Sequence, residues 1–122
     1  MSPELQEKLK KVLGEVKEIY KISLFVVVKP ENSDFWDLVI GGKDLDKNTE
    51  NLKVITKIVN KYVSQHEIVL FSRLALLDYD DNPFVKDFNT LFDTDFSMID
   101  VQNCLIGKVY IKQAYLFYSH RD

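Results

Sequence analysis

Residues 22–29, Ile-Ser-Leu-Phe-Val-Val-Val-Lys, place apolar side chains on both alternating sets of positions. Leu24, Val26 and Val28 share one side, Phe25 and Val27 the other. β-Branched and aromatic residues favour an extended chain, and Pro30 ends the ladder because it has no N–H to donate. A strand that is apolar on both sides needs cover on both, from its own domain or from a partner. This requirement constrains the fold more than any other feature of the chain.

The material for that cover is readable along the sequence. Ser2 is placed as a helix N-cap and Pro3 as the first helical residue. Leu5, Leu9, Val12, Leu13, Val16, Ile19 and Tyr20 then recur at three- and four-residue spacing, a core-facing helical stripe. Gly14 interrupts it at a cost of about 1 kcal/mol relative to alanine, a cost that a close helix crossing would explain. The polar turn Pro30–Asp34 joins the first strand to a second at residues 35–40, and the short gap predicts an antiparallel hairpin. A second helix follows, capped by Asn48 or Thr49, with Leu52, Ile55, Ile58, Val59, Tyr62 and Val63 on its apolar side. Residues 68–77 read as a third strand, Pro83 to about Phe92 as a third helix, and 97–119 as two strands turning near Ile106, Gly107 and Lys108. In the last strand, period two groups Val109, Ile111, Tyr115 and Phe117 against Tyr110, Ala114, Leu116 and Tyr118.

The order is α-β-β-α-β-α-β-β, which predicts one α+β domain spanning residues 1–122. Its mostly antiparallel five-stranded sheet should carry the two long helices on one face. The 122 residues are an ordinary length for one domain and contain no repeat or linker. The other sheet face is then rich in apolar side chains, which the third helix or a second copy of the chain would cover. A homodimer is expected on that ground.

Composition narrows the function classes. A single cysteine, Cys104, permits no internal disulfide and too few ligands for a cysteine zinc site, and it suits a reducing compartment. Neither a secretory leader nor a run long enough to span a membrane is read, so a cytoplasmic protein is expected. Sixteen basic against nineteen acidic residues leave a net charge of −3. The lysines of the first helix, Lys8, Lys10, Lys11, Lys17 and Lys21, interleave with Glu4, Glu7, Glu15 and Glu18. That is a solvated mixed-charge face, and it disfavours nucleic-acid binding, which draws its affinity from a basic face. Phosphate-binding glycine loops and nucleophile elbows are absent from the sequence.

Three groups of residues stand out as site candidates. Asp78, Asp80 and Asp81 end an apolar strand, where hard oxygen ligands could hold magnesium or manganese for chemistry on phosphate esters or nucleotides. Asp78-Tyr79-Asp80 resembles the Asp-x-Asp of phosphotransfer folds and nucleotide-sugar transferases, though Asp81 and Asn82 stand where a haloacid-dehalogenase type of motif has threonine or valine. A second reading makes Asp80 and Asp81 the acidic lead-in to a helix capped by Asn82 and begun by Pro83. Arg73 and Asp37 each interrupt an apolar strand. If those strands are neighbours they form a pair, and Arg73 could bind a carboxylate or phosphate in a pocket near Asp37 and Trp36. The strand aromatics Trp36, Tyr110, Tyr115, Phe117 and Tyr118 form the candidate interface. His66, His120 and Cys104 lack the local partners that a metal site or a nucleophile needs.

The expected function is therefore non-catalytic: a small acidic domain that binds a protein partner, with no cofactor. The alternative is a magnesium- or manganese-dependent enzyme built on the aspartate cluster, with Arg73 holding the anion.

Overall fold

The computed structural model describes residues 1–43, 45–78 and 82–120, and for Phe96 the backbone alone. Its elements run α1 (Pro3–Ile19), β1 (Leu24–Pro30), β2 (Trp36–Gly42), α2 (Thr49–Tyr62), α3 (Gln65–Ile68), β3 (Phe71–Asp78), α4 (Pro83–Leu91), β4 (Thr94–Ile106) and β5 (Val109–Ser119). The α+β class and the order of the long elements agree with the sequence reading. The strands form one five-stranded sheet in the order β3-β2-β1-β5-β4. β1–β2, β1–β5 and β4–β5 are antiparallel, while β2 and β3 run parallel. A parallel pair needs a crossover, and α2 supplies it.

Local signals set the helix starts. Ser2 Oγ accepts the N–H of Leu5, and Asn48, rather than Thr49, caps α2 by accepting the N–H of Asn51. Ser64-Gln65-His66-Glu67 is a capping box, with each of its ends accepting the other's backbone N–H. It holds one helical turn through Ile68, so the third strand begins at Phe71 rather than at residue 68. Gly14 is also corrected: an added Cβ there meets open space, so no close helix crossing requires it.

α1 and α2 pack on one sheet face around Leu5, Leu9, Leu13, Phe25, Val27, Leu38, Ile55 and Phe117. Polar clips also hold the helices together. Glu15 of α1 accepts from Lys61 Nζ and Tyr62 Oη of α2. These bonds lower the Glu15 pKa and raise that of Tyr62. Lys8 Nζ reaches Glu67 Oε1 at 2.7 Å and ties α1 to α3.

The opposite face is covered within the same chain. Val85 and Phe88 of α4 pack with Leu24, Val26, Val39, Val101, Ile106, Ile111 and Leu116. Gly41 permits this approach, since a Cβ there would lie 2.8 Å from Val85 Cγ2. The β4–β5 hairpin curls back until its tip, Gly107, meets Phe84 and donates its N–H to Asp87 Oδ2 at 2.7 Å. Asn103, Gly107 and Lys108 take positive φ there. Register breaks between β1 and β5 fall at Phe25/Val26 and Lys29/Pro30, and each shifts the alternation by one residue. Ile111 therefore joins Ala114 and Leu116 rather than Tyr115 and Phe117, and Tyr118 moves to the helix-bearing face. α4, with the hairpin, thus covers this face within one chain.

Candidate functional site

Among the described residues β3 pairs on one side only, with β2, and forms one border of the sheet. Between its pairing of Trp36 with Phe71 and of Asp37 with Arg73 the register slips by one, leaving Ser72 as an extra residue. That bulge brings both Ser72 and Arg73 to Asp37. The Asp37 carboxylate is buried, its side chain 7% exposed. It accepts from Ser72 Oγ on one oxygen and from Arg73 Nε at 3.1 Å on the other. A buried carboxylate is stable only when so partnered. The Arg73 side chain is 68% exposed, and its two terminal nitrogens bond no described residue. The predicted neighbourhood of Arg73 and Asp37 is thus present, with the guanidinium anchored at Nε and its outer edge in solvent.

Beside this strand lies an apolar cavity of about 190 Å³, bounded by Leu9, Leu38, Thr56, Val59, Asn60, Ile68, Phe71, Ser72, Arg73 and Leu74. α1 supplies its floor through Leu9, α2 one wall, and β3 the other. The Lys8–Glu67 pair ties α3, whose Ile68 lines the cavity, to α1. Two bonds from partners, first the Lys8 ammonium and then the Ser64 backbone N–H, hold the Glu67 carboxyl at a pKa of about 2. At the same corner Phe35, Val69 and Leu70 are exposed, at 50%, 63% and 43%. Leu70 O accepts the N–H of Trp36, which places Phe35 next to the Val69–Leu70 pair. Large apolar side chains grouped at a sheet border mark an interaction surface more than isolated ones do.

Trp36, the third member of the proposed anion pocket, is not beside the Arg73 fork. It is buried on the helix-bearing face, with its ring 5.3 Å from that of Tyr115 and Lys29 Nζ 4.9 Å from it. The candidate interface is corrected in the same way. Tyr115, Phe117 and Tyr118 are 8% exposed or less and belong to the chain's own core, because α1 and α2 cover them; of the five residues only Tyr110 is exposed. Alternation along a strand shows which side chains share a face, but not whether a helix lies over that face.

Asp78 ends β3, half-buried and already engaged in an interaction of its own. Asp80 and Asp81 lie outside the described residues. Among the described residues no three His, Cys, Asp or Glu side chains converge to hold a metal ion. Asn82 caps α4 by accepting the N–H of Phe84, with Pro83 in the first turn, as the helix-start reading has it. His66 is exposed, His120 Nδ1 lies 3.3 Å from Asp93, and Cys104 packs half-buried against the second core. No described helix is long and apolar enough to cross a membrane. No protein-family model, curated protein or solved structure matches this chain.

Proposed function

We propose that this chain is a non-catalytic protein-binding domain that accepts an extended segment of a partner along the outer side of β3. One observation carries the reading: a border strand, Phe-Ser-Arg-Leu-Ala-Leu-Leu-Asp, pairs on one side only among the described residues and lies next to an apolar cavity, with Phe35, Val69 and Leu70 exposed at its start. Alternate residues of a border strand turn their N–H and C=O groups outward, and an added strand satisfies them. An apolar side chain of the incoming segment would enter the cavity, which supplies selectivity beyond the backbone bonds. A reducing, cytoplasmic setting suits the single thiol of Cys104.

The homodimer expectation takes a defined form here. β3 would pair with its own copy about a two-fold axis normal to the sheet, with Ala75 opposite Ala75 and Leu74 opposite Leu76. Its original ground, an uncovered sheet face, is met by α4 and the hairpin. What favours it now is only the apolar character of the border strand.

Peptides selected from a random displayed library against the full chain test the site. Amide hydrogen exchange is then measured with each selected peptide bound. Slowed exchange at outward-facing amides of Phe71–Asp78 is expected. Protection confined to α4 or to the β4–β5 hairpin would refute strand addition at β3.

A further inference from the structure

We infer that the segment β3 takes up is an extended stretch of another protein that carries acidic residues around an apolar anchor, rather than a second copy of this chain. The inference deepens the strand-addition reading and rests on it. The whole chain is acidic, with a net charge of −3. Yet the charged side chains lining the cavity and the adjoining stripe of α2 are all positive: Arg73, Lys53 and Lys57. Lys53 and Lys57 are exposed one turn apart on α2, and neither makes an ion pair with a described residue. Arg73 supplies the third cation from the strand itself. Buried Asp37 holds it by Nε, so its two terminal nitrogens are presented as a fork, the geometry that matches a carboxylate. An incoming strand with one apolar side chain in the cavity would turn its adjacent residues to the opposite sheet face, where Arg73 pairs with Asp37, and the residues two positions away to the face of the two lysines. Acidic residues at those positions would meet two lysines that make no ion pair with a described residue, and the terminal nitrogens of Arg73, whose Nε alone is taken by Asp37.

The same charges disfavour self-pairing. A two-fold axis normal to the sheet keeps both α2 helices on one sheet face, flanking the new junction. Lys53 and Lys57 of one copy would then approach those of the other, and like charges across an interface suppress association.

The probes are peptides selected from the random library, resynthesised with a fluorophore, and the measurement is binding to the full chain. Selected sequences should carry Asp or Glu two residues from an apolar anchor, on its own face, and next to it on the other. The double variant Lys53→Glu/Lys57→Glu should weaken them about tenfold, with binding also falling as salt is raised. Both sites are exposed on a helix that packs by its other side, and circular dichroism confirms that the variant folds. Methylating alternate peptide nitrogens should abolish binding, because it removes strand pairing and leaves the side chains. Neutral or basic peptides that protect β3 and bind the double variant equally well would overturn the acidic assignment while leaving strand addition standing. Selected peptides that leave β3 unprotected, or an empty selection, would overturn both. Concentration-dependent protection of Phe71–Asp78 without peptide, with a dimer in sedimentation, would assign the strand to a second copy instead.

Discussion

Gly107→Ala tests whether a single chain covers both faces of its own sheet. Gly107 sits at the hairpin tip with φ +54°, in the left-handed region. Placing alanine there costs about 1–2 kcal/mol, because Cβ crowds the following carbonyl. The new methyl would also lie 2.8 Å from both the Cα and the N of Phe84. Those are backbone atoms in the first turn of α4 and cannot swing aside as a side chain can. Overpacking against fixed atoms costs about 1–3 kcal/mol. If the tip lifts away to avoid the clash, it loses the Gly107 N–H bond to Asp87 instead. The expected total is about 2–5 kcal/mol, a large part of the roughly 5–15 kcal/mol of a typical domain. Urea unfolding followed by circular dichroism measures it as a lowered midpoint at unchanged slope. Gly14→Ala serves as the comparator, since nothing lies within 4 Å of the added methyl. It should stabilise the chain by about 0.5–1 kcal/mol. A loss below about 1 kcal/mol for Gly107→Ala would mean that the hairpin does not close on α4. The second face would then be open, and a second copy would again be needed to cover it.

Three further outcomes follow from the contacts of the border strand. Arg73→Ala leaves the buried Asp37 carboxylate with Ser72 alone, and should cost about 1–3 kcal/mol in urea unfolding; adding Asp37→Asn should restore part of that loss, and an additive double variant would dissolve the pair. Glu67 has a folded-state pKa of about 2 against an ordinary 4.5. Its contribution is therefore complete above pH 4.5 and lost as pH falls towards 2. Glu67→Gln should flatten the acid limb of the stability curve over that window, and an unchanged limb would remove the Lys8–Glu67–Ser64 clip as its cause. Magnesium or manganese at millimolar concentration should leave the melting temperatures of wild type and of Asp78→Ala/Asp80→Ala equally unmoved. Stabilisation of the wild type alone would restore the metal-dependent enzyme reading.

The helices were legible because their signals are local. Ser2-Pro3, Asn48 and Asn82-Pro83 each satisfy N-terminal donors within a few residues, and the apolar stripes of α1, α2 and α4 repeat at helical spacing. Ser64-Gln65-His66-Glu67 carried the same kind of signal, an S-x-x-E box, and could have been found by it. Strand phase was less legible. Register breaks beside Val26 and Pro30 moved Ile111 and Tyr118 to the faces opposite those that strict alternation gives. Such breaks are fixed by the partner strand, which lies far away in the sequence.

The site was half legible for the same reason. Asp37 and Arg73 each broke an apolar run, and a polar residue in such a place needs a partner, so their pairing could be anticipated without knowing strand order. That β3 lies at the border could not be, because its sequence has the character of an interior strand. Residues 74–77 are Leu-Ala-Leu-Leu, and β3 contains neither lysine nor proline, the residues that commonly blunt a sheet border. Its polar interruptions, Ser72 and Arg73, are tied to Asp37 at the bulge, with the outer edge of the guanidinium left in solvent. The composition of β3 therefore suits a strand with neighbours on both sides, while the strand order gives it one. The proposed strand addition rests on this mismatch between the composition of β3 and its place in the sheet.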